Sequence, residues 1–306
     1  MADNFGEMWR KLLLYCPFAP IPLCQDWINE RYRQALDFTT WGGQTAESQF
    51  IIPAASSTGT ITLTNGSTAV VGVGTAWTSS HEGRQLYIGG AGPYYTVSTV
   101  TDATNLILER PYGGSTTAGS AYEIAQAYVT PPSDFLAFKT IKDPVNNWRL
   151  RFNKSPEWLD RIDAKRATTG SARYFVDYRH SSSNIPRYEV WPRVTTQSVY
   201  PFLYVKRPAD MSVDSDTPMA PLRGDEIFTG ALADLATWPG TESRPNPMFN
   251  LALAQKYEKD FQEYLQTLQR VDQDTYMTDV IGPQDSWDGL SDFPIDAAFA
   301  QSHDVF

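Results

Sequence analysis

The residues best spaced for chemistry are three carboxylates. Glu157, Asp160 and Asp163 fall three apart, so a helix there places all of them on one side. Paired carboxylates of this kind do acid–base work on glycosidic bonds. Arg161, Lys165 and Arg166 interleave with them, and a solvated, salt-bridged helix face accounts for the same pattern. The second reading is adopted. The histidines, His81, His180 and His303, lie in three separate regions, and no two have metal-ligand spacing. His81 and His303, each followed by an acid, read as exposed loop and tail residues. Gly72-Val73-Gly74-Thr75-Ala76 has two glycines of a dinucleotide loop but lacks the third and the helix that should follow. There is no Gly-x-Ser-x-Gly elbow and no phosphate-binding loop with its lysine. The chain is therefore expected not to be an enzyme, with no catalytic residue, no metal ligand and no cofactor.

Two other groups have contact chemistry. Arg149, Arg151 and Lys154 form the local basic cluster, with Trp148 and Phe152 between them. On a strand, Trp148, Leu150 and Phe152 share one face and the two arginines the other. Core on one side and water on the other explains the pattern; a phosphate or partner contact is the alternative. Trp77, Tyr87, Tyr94, Tyr95 and Tyr112 fall in a stretch rich in Thr, Gly, Ser and Val. They stack on sugars in one reading and build a small β core in the other, which is preferred.

The chain has 306 residues, 42% of them hydrophobic and 20% charged, a composition able to bury a core. Its net charge is −10, from 25 basic and 35 acidic residues, which disfavours a general nucleic-acid binder. The charge is uneven. No Lys or Arg follows Arg270, and the last 36 residues carry Asp272, Asp274, Asp279, Asp285, Asp288, Asp292, Asp296 and Asp304. The first 270 residues are close to neutral. The two cysteines, Cys16 and Cys24, exclude a disulfide framework and are expected to be reduced thiols. No apolar run approaches the ~18 residues of a membrane span, and no secretory signal is read.

These groups need elements to position them. Leu23, Trp27, Ile28, Tyr32, Ala35 and Leu36 recur at helical spacing over residues 23–37. Residues 225–237 form a second helix, burying Ile227, Phe228, Ala231, Leu232 and Leu235. A third is predicted over 247–271, with Asn246 as cap and Pro247 at its first position, and its apolar face runs from Phe249 to Leu268. The three should pack together. A short helix follows Ser155-Pro156. Strands are read at residues 60–64, 67–73, 84–88, 94–100, 105–109 and 120–125, with a type I′ hairpin at Asn65-Gly66. Further strands fall at 135–141, 147–152, 172–178, 187–191 and 199–206. Segments 48–53 and 126–131 look like one strand region cut in two, so residues 57–125 read as an insertion. The predicted fold is α+β, a helical bundle of N- and C-terminal helices plus a β region, with an inserted all-β module, Ig-like or a small barrel. Its parts are 1–56, the N-terminal helix and first strand; 57–125, the inserted module; 126–221, the β region; 222–279, the C-terminal helices; and 280–306, an extended acidic and aromatic arm. Trp287, Phe293, Phe299 and Phe306 punctuate the arm at near-regular intervals, each near an Asp, as anchors that dock on a partner.

The run Cys24-Gln25-Asp26-Trp27-Ile28-Asn29-Glu30-Arg31-Tyr32-Arg33, followed by Trp41 and Gln49-Phe50, resembles the opening of tailed-bacteriophage head-to-tail connector (adaptor) proteins. So does the closing part, Leu222-Arg223-Gly224-Asp225, Trp238-Pro239-Gly240-Thr241 and Asn246-Pro247-Met248-Phe249-Asn250. Gly83-Arg84-Gln85-Leu86-Tyr87-Ile88-Gly89-Gly90 and Arg110-Pro111-Tyr112-Gly113-Gly114 resemble small β modules of phage virion proteins. The resemblance implies a structural virion protein at the neck, between capsid and tail, assembled in the host cytoplasm. It implies a ring of copies, typically twelve, that joins the portal protein to a tail tube or nozzle protein. DNA passes through without specific binding, the C-terminal arm docks on the portal, and no membrane is involved. A near-neutral body suits such a conduit, because a basic lining would hold phosphates. The alternative is a tail or fibre-base protein whose β module binds surface glycans.

Overall fold

The computed structural model describes residues 4–89, 91–152, 154–180 and 186–276, with the side chains of residues 91–93, 179–180 and 274–276 left undescribed. The chain divides into two compact units: one of residues 1–44 with 208–306, the other of residues 45–207.

The first unit opens with α1 (Phe5–Tyr15), a helix the sequence reading missed. Its signal is a capping box. The Asn4 side chain accepts the Glu7 amide at 2.8 Å, and the Glu7 carboxylate accepts the Asn4 amide at 3.2 Å. Phe5, Met8 and Leu12 then share the buried face. Helix α2 (Ile21–Phe38) carries Pro22 in its first turn and buries Cys24, Ile28, Arg31, Tyr32, Ala35 and Leu36. The chain then forms the second unit and returns.

The second unit is mostly strands, with one short helix. In chain order these are β1 (Thr45–Ile52), β2 (Thr60–Leu63), β3 (Ala69–Val73), β4 (Gln85–Ile88), β5 (Ala91–Asp102), β6 (Asn105–Leu108), β7 (Thr117–Ser120), β8 (Tyr122–Ala125), β9 (Tyr128–Val129), β10 (Phe135–Asp143), β11 (Trp148–Leu150), α3 (Pro156–Asp163), β12 (Tyr174–His180), β13 (Pro186–Trp191) and β14 (Ser198–Lys206). They form a four-stranded sheet β1-β14-β10-β11, a three-stranded sheet β12-β13-β9 and a seven-stranded sheet β7-β2-β3-β6-β5-β4-β8. Period-two burial sets the faces, as in β3, where Val70 and Gly72 point in and Ala69, Val71 and Val73 point out. The seven-stranded sheet has its own core of Ile61, Leu63, Val70, Trp77, Val97 and Leu106. A second core joins the other two sheets through Phe50, Phe175, Tyr200 and Phe202, with the Phe50 and Phe202 rings stacked at 4.4 Å.

Two local expectations are corrected here. Segments 48–53 and 126–131 are not one strand cut in two: β1 pairs with β14, and β9 pairs with β13 in a different sheet. The Asn65-Gly66 hairpin exists, but only Gly66 takes a positive φ, +75°, and Ser67 N–H closes the turn onto the Thr64 carbonyl. A type I′ turn needs positive φ at both central residues, so this turn is of another type.

The first unit closes with α4 (Gly224–Thr237) and α5 (Leu251–Tyr276). Helix α5 starts four residues later than predicted. The buried Asn246 side chain donates instead to the Leu235 and Trp238 carbonyls at 2.7 and 2.8 Å, satisfying the open end of α4. Asn250 caps α5 by accepting the Ala252 and Leu253 amides. Phe249, placed on the apolar face by periodicity, precedes the helix and is exposed. Helices α1, α2, α4 and α5 share one core, which includes Met8, Leu12, Ile28, Leu235, Phe261 and Leu265. The fold is α+β.

Candidate functional site

The carboxylates of α3 are structural. The Asp163 side chain accepts the Ala167 and Thr168 amides, both at 2.9 Å, and the Trp191 indole N–H at 3.1 Å. Burial works against its charge, but these donors outweigh burial and hold the carboxyl below its usual range. Asp160 pairs with Arg166 at 2.6 Å. Arg166 is not the solvated residue the sequence reading assumed. It is 7% exposed, takes a φ of +52°, and points its guanidinium at Glu189 of β13, 2.6 Å away. A salt-bridged pattern is present, but half of it is interior. Nothing in the sequence around Arg166 marks Glu189 as its partner.

A seam of aromatic and charged residues joins the seven-stranded sheet to the three-stranded one, and sequence reasoning missed it. Arg193 lies 3.9 Å over the Tyr87 ring and reaches Glu123 at 3.2 Å. The Gln85 side chain accepts the Ala127 amide at 2.9 Å, and the Tyr94 and Tyr128 hydroxyls bond to each other. Arg187 stands over both Tyr128 and Tyr178, at 4.4 and 5.1 Å. Burial raises the Tyr87 and Tyr128 phenols, so both stay neutral. Such a seam fixes the orientation of the two sheets.

The other sequence candidates resolve as follows. His81 is buried, not an exposed loop residue: it caps a short turn through Thr78, whose amide approaches Nδ1 at 3.2 Å. His303 and the anchors Trp287, Phe293, Phe299 and Phe306 lie outside the described residues. Gly72 sits within β3, where a side chain would strike Thr75 and Trp77. Trp77, Tyr87, Tyr95 and Tyr112 are all buried, as the core reading required, and Tyr94 is half-buried. Among the described residues, no three of His, Cys, Asp and Glu gather where a metal ion would sit. No described helix is long and apolar enough to cross a membrane. Both cysteines are reduced and buried.

The exposed chemistry lies on the outer face of the four-stranded sheet. Lys142 of β10 and Arg149 of β11 are direct cross-strand partners, so they share that face, and both are exposed. Arg149 donates to the Thr140 hydroxyl at 3.2 Å. Lys142 also lines an open depression of about 280 Å³ with Glu47, Ser48, Gln49, Pro201, Phe202 and Leu203. The β10–β11 turn is held by Asp143, which accepts the Val145 and Asn146 amides at 3.0 Å, and Val145 projects from it 84% exposed. The expected division of β11 holds: Leu150 is buried, Trp148 and Phe152 are half-buried, and Arg149 and Arg151 are exposed.

The α+β fold and this exposed charged face are the setting for the comparison with known proteins. A model of the family described as SU10 adaptor protein matches residues 97–283, more than half of the chain, and the chain belongs to that family. It is a phage structural adaptor and thus a virion component. The match runs from the middle of β5 to beyond the end of α5. No curated protein matches the chain.

Proposed function

We propose that this protein is a non-enzymatic adaptor at the phage neck, assembled as a ring that joins the portal to the tail. The family match across residues 97–283 carries this reading. Helices α2, α4 and α5 are its portal-proximal bundle, and residues 57–125 are an inserted β module, Ig-like or a small barrel. The arm from Val280 docks on the portal, with Trp287, Phe293, Phe299 and Phe306 as anchors and the aspartates matching a basic rim. The ring has twelve copies, contacts a tail tube or nozzle protein, and passes DNA without binding it. The nearly neutral charge of residues 1–270 favours that last property. A glycan-binding role for residues 57–125 has less support, because four of the five rings it relied on, Trp77, Tyr87, Tyr95 and Tyr112, are buried.

Deleting residues 280–306 tests the proposal. The shortened chain should fold and fail to join portal-bearing capsids, and antibody-gold on intact virions should mark the neck. Normal joining by the shortened chain would remove the arm from the reading. Gold at fibres or the tail tip would remove the neck itself.

A further inference from the structure

The outer face of the four-stranded sheet departs from the usual pattern of an antiparallel sheet with one face on a core. Phe50, Ile141, Leu150, Tyr200 and Phe202 take the core side. The residues between them should then be polar. On β14 they are Val199, Pro201 and Leu203, all half-buried, so this strand is apolar on both faces. Register carries the outer face across the sheet. Ile51 of β1 stands opposite Val199, Gln49 opposite Pro201 and Glu47 opposite Leu203, and Thr140 of β10 flanks Leu203 on the other side. Ile51 is 53% exposed. Pro201 has no amide to donate, and the β10–β14 ladder stops one residue before it, at Ile141 and Phe202. The depression lies at that break.

Charge on this face is divided. Its β1 side carries the exposed acid Glu47. Its far side carries Lys142 and Arg149, exposed and directly opposite each other, where like charges repel. Glu47 and Lys142 line one depression, yet neither they nor Arg149 form an ion pair among the described residues. An apolar row thus runs between an acid on one side and two cations on the other. A surface of that order is complementary to itself. Turned over about a two-fold axis along the strands, it sets acid against cations twice and apolar row against apolar row. The phosphates of a nucleic acid would meet Glu47 as a like charge, which favours a protein face. We infer that this sheet face binds a second copy of the chain, with Glu47 of one copy against Lys142 and Arg149 of the other, and Val199, Pro201 and Leu203 of both copies at the axis. Four strands make a face about 20 Å wide. That is small beside a standard interface, so the pair is weak and salt-sensitive. Neighbours in a cyclic ring meet through two different surfaces. The pair therefore concerns protein outside a ring, and it stands or falls apart from the neck reading.

Sedimentation velocity of the full chain is the test. The parent should show a monomer–dimer equilibrium that weakens about tenfold in 0.5 M salt, where the Debye length shrinks to a few ångströms. Glu47→Lys should weaken pairing by about tenfold or more, and so should Lys142→Glu combined with Arg149→Glu, because each change sets like charges together at both contacts. An equimolar mixture of these two variants should pair one to one as tightly as the parent, since every cation then meets an acid again. A parent that stays monomeric up to about 0.3 mM would overturn the inference. So would association that no substitution weakens, or a mixture that fails to pair. A chain that does not self-associate but holds a short DNA duplex through Lys142 and Arg149 would make the face a phosphate site and equally overturn it. Should a variant fail to fold, the parent alone decides. Unlabelled and heavy-isotope-labelled chains, mixed and treated with a zero-length carbodiimide, should give Glu47–Lys142 products that join a light peptide to a heavy one. Coupling of Lys259 to Glu263, 3.4 Å apart on α5, is the control within one chain. Glu47–Lys142 products of a single label, or none beside the control, would overturn the inference.

Discussion

Gly230 of α4 lies against the stem of Arg31 of α2: a methyl group at Gly230 would stand 3.0 Å from the Arg31 Cδ and 3.2 Å from the Phe261 ring. That close approach lets the Arg31 guanidinium reach Asp234 with two bonds, of 2.7 and 2.6 Å, and Glu258 of α5 with a third of 2.5 Å. One buried arginine thus ties three helices together, with Phe261 beneath it at 5.7 Å.

Removing that arginine should be costly. Arg31→Ala leaves two carboxylates facing each other without their cation and should lower unfolding stability by about 3 kcal/mol. Gly230→Ala would gain about 1 kcal/mol in an open helix. Here it should lose about that much through crowding. Combined with Arg31→Ala, the same change should become stabilising. Urea unfolding of the two single variants and the double variant checks the change of sign; additive effects would show that Arg31 and Gly230 are not in contact.

Glu226, at the start of α4, is 3% exposed, and burial pushes its carboxyl up to about 8, with the neighbouring Asp225 raising it further and the Arg223 amide opposing. A carboxyl raised in the folded state binds a proton more tightly folded than unfolded. Its favourable contribution is complete below about pH 4.5, the unfolded value, and is lost as pH rises through about 8. Glu226→Gln, which cannot ionise, should match the parent at pH 5 and exceed it in stability at pH 9. Parallel unfolding curves at the two pH values measure this, and an equal difference at both would rule out the buried charge.

Glu189 is held by Arg166 and is almost wholly buried. Burial raises its carboxyl pKa, and the Arg166 hydrogen bond and charge oppose that rise. Arg166→Ala removes the opposition and moves the pKa further up. The variant should lose about 3 kcal/mol at pH 8 and distinctly less near pH 5, where Glu189 takes up a proton. Thermal denaturation at the two pH values distinguishes this from a loss of packing, which would not vary with pH.

Burial raises both thiols, that of Cys24 to about 11, with Cys16 nearby adding to the shift. Neither should react with a disulfide reagent at pH 8 in the folded protein, and two equivalents should react after denaturation. Rapid labelling of the native chain would show that the α1–α2 region opens.

Much of this fold was legible because it is encoded locally. The repeat of Ile28, Tyr32, Ala35 and Leu36 makes α2 wherever the chain carries it, and Ser155-Pro156 opens α3 with the cap its sequence announces. The alternation in Thr60–Leu63 and the split of Arg149 and Arg151 from Leu150 follow from the two-residue period of a strand. Helix α1 was legible too, in its Asn4–Glu7 box, although its apolar run alone did not reveal it. The arm's acidity is likewise a property of the sequence alone. What the sequence by itself could not determine is which charged residues are interior and which strands are neighbours. Arg31 finds Asp234 across 203 positions, and Arg166 finds Glu189 across 23. His81 is buried by its own turn, and β1 and β9 join different sheets although a single interrupted strand looked plausible. Periodicity reports which face of an element is apolar. The partner that face meets, and the charge it brings into low dielectric, are decided only when distant segments pack together.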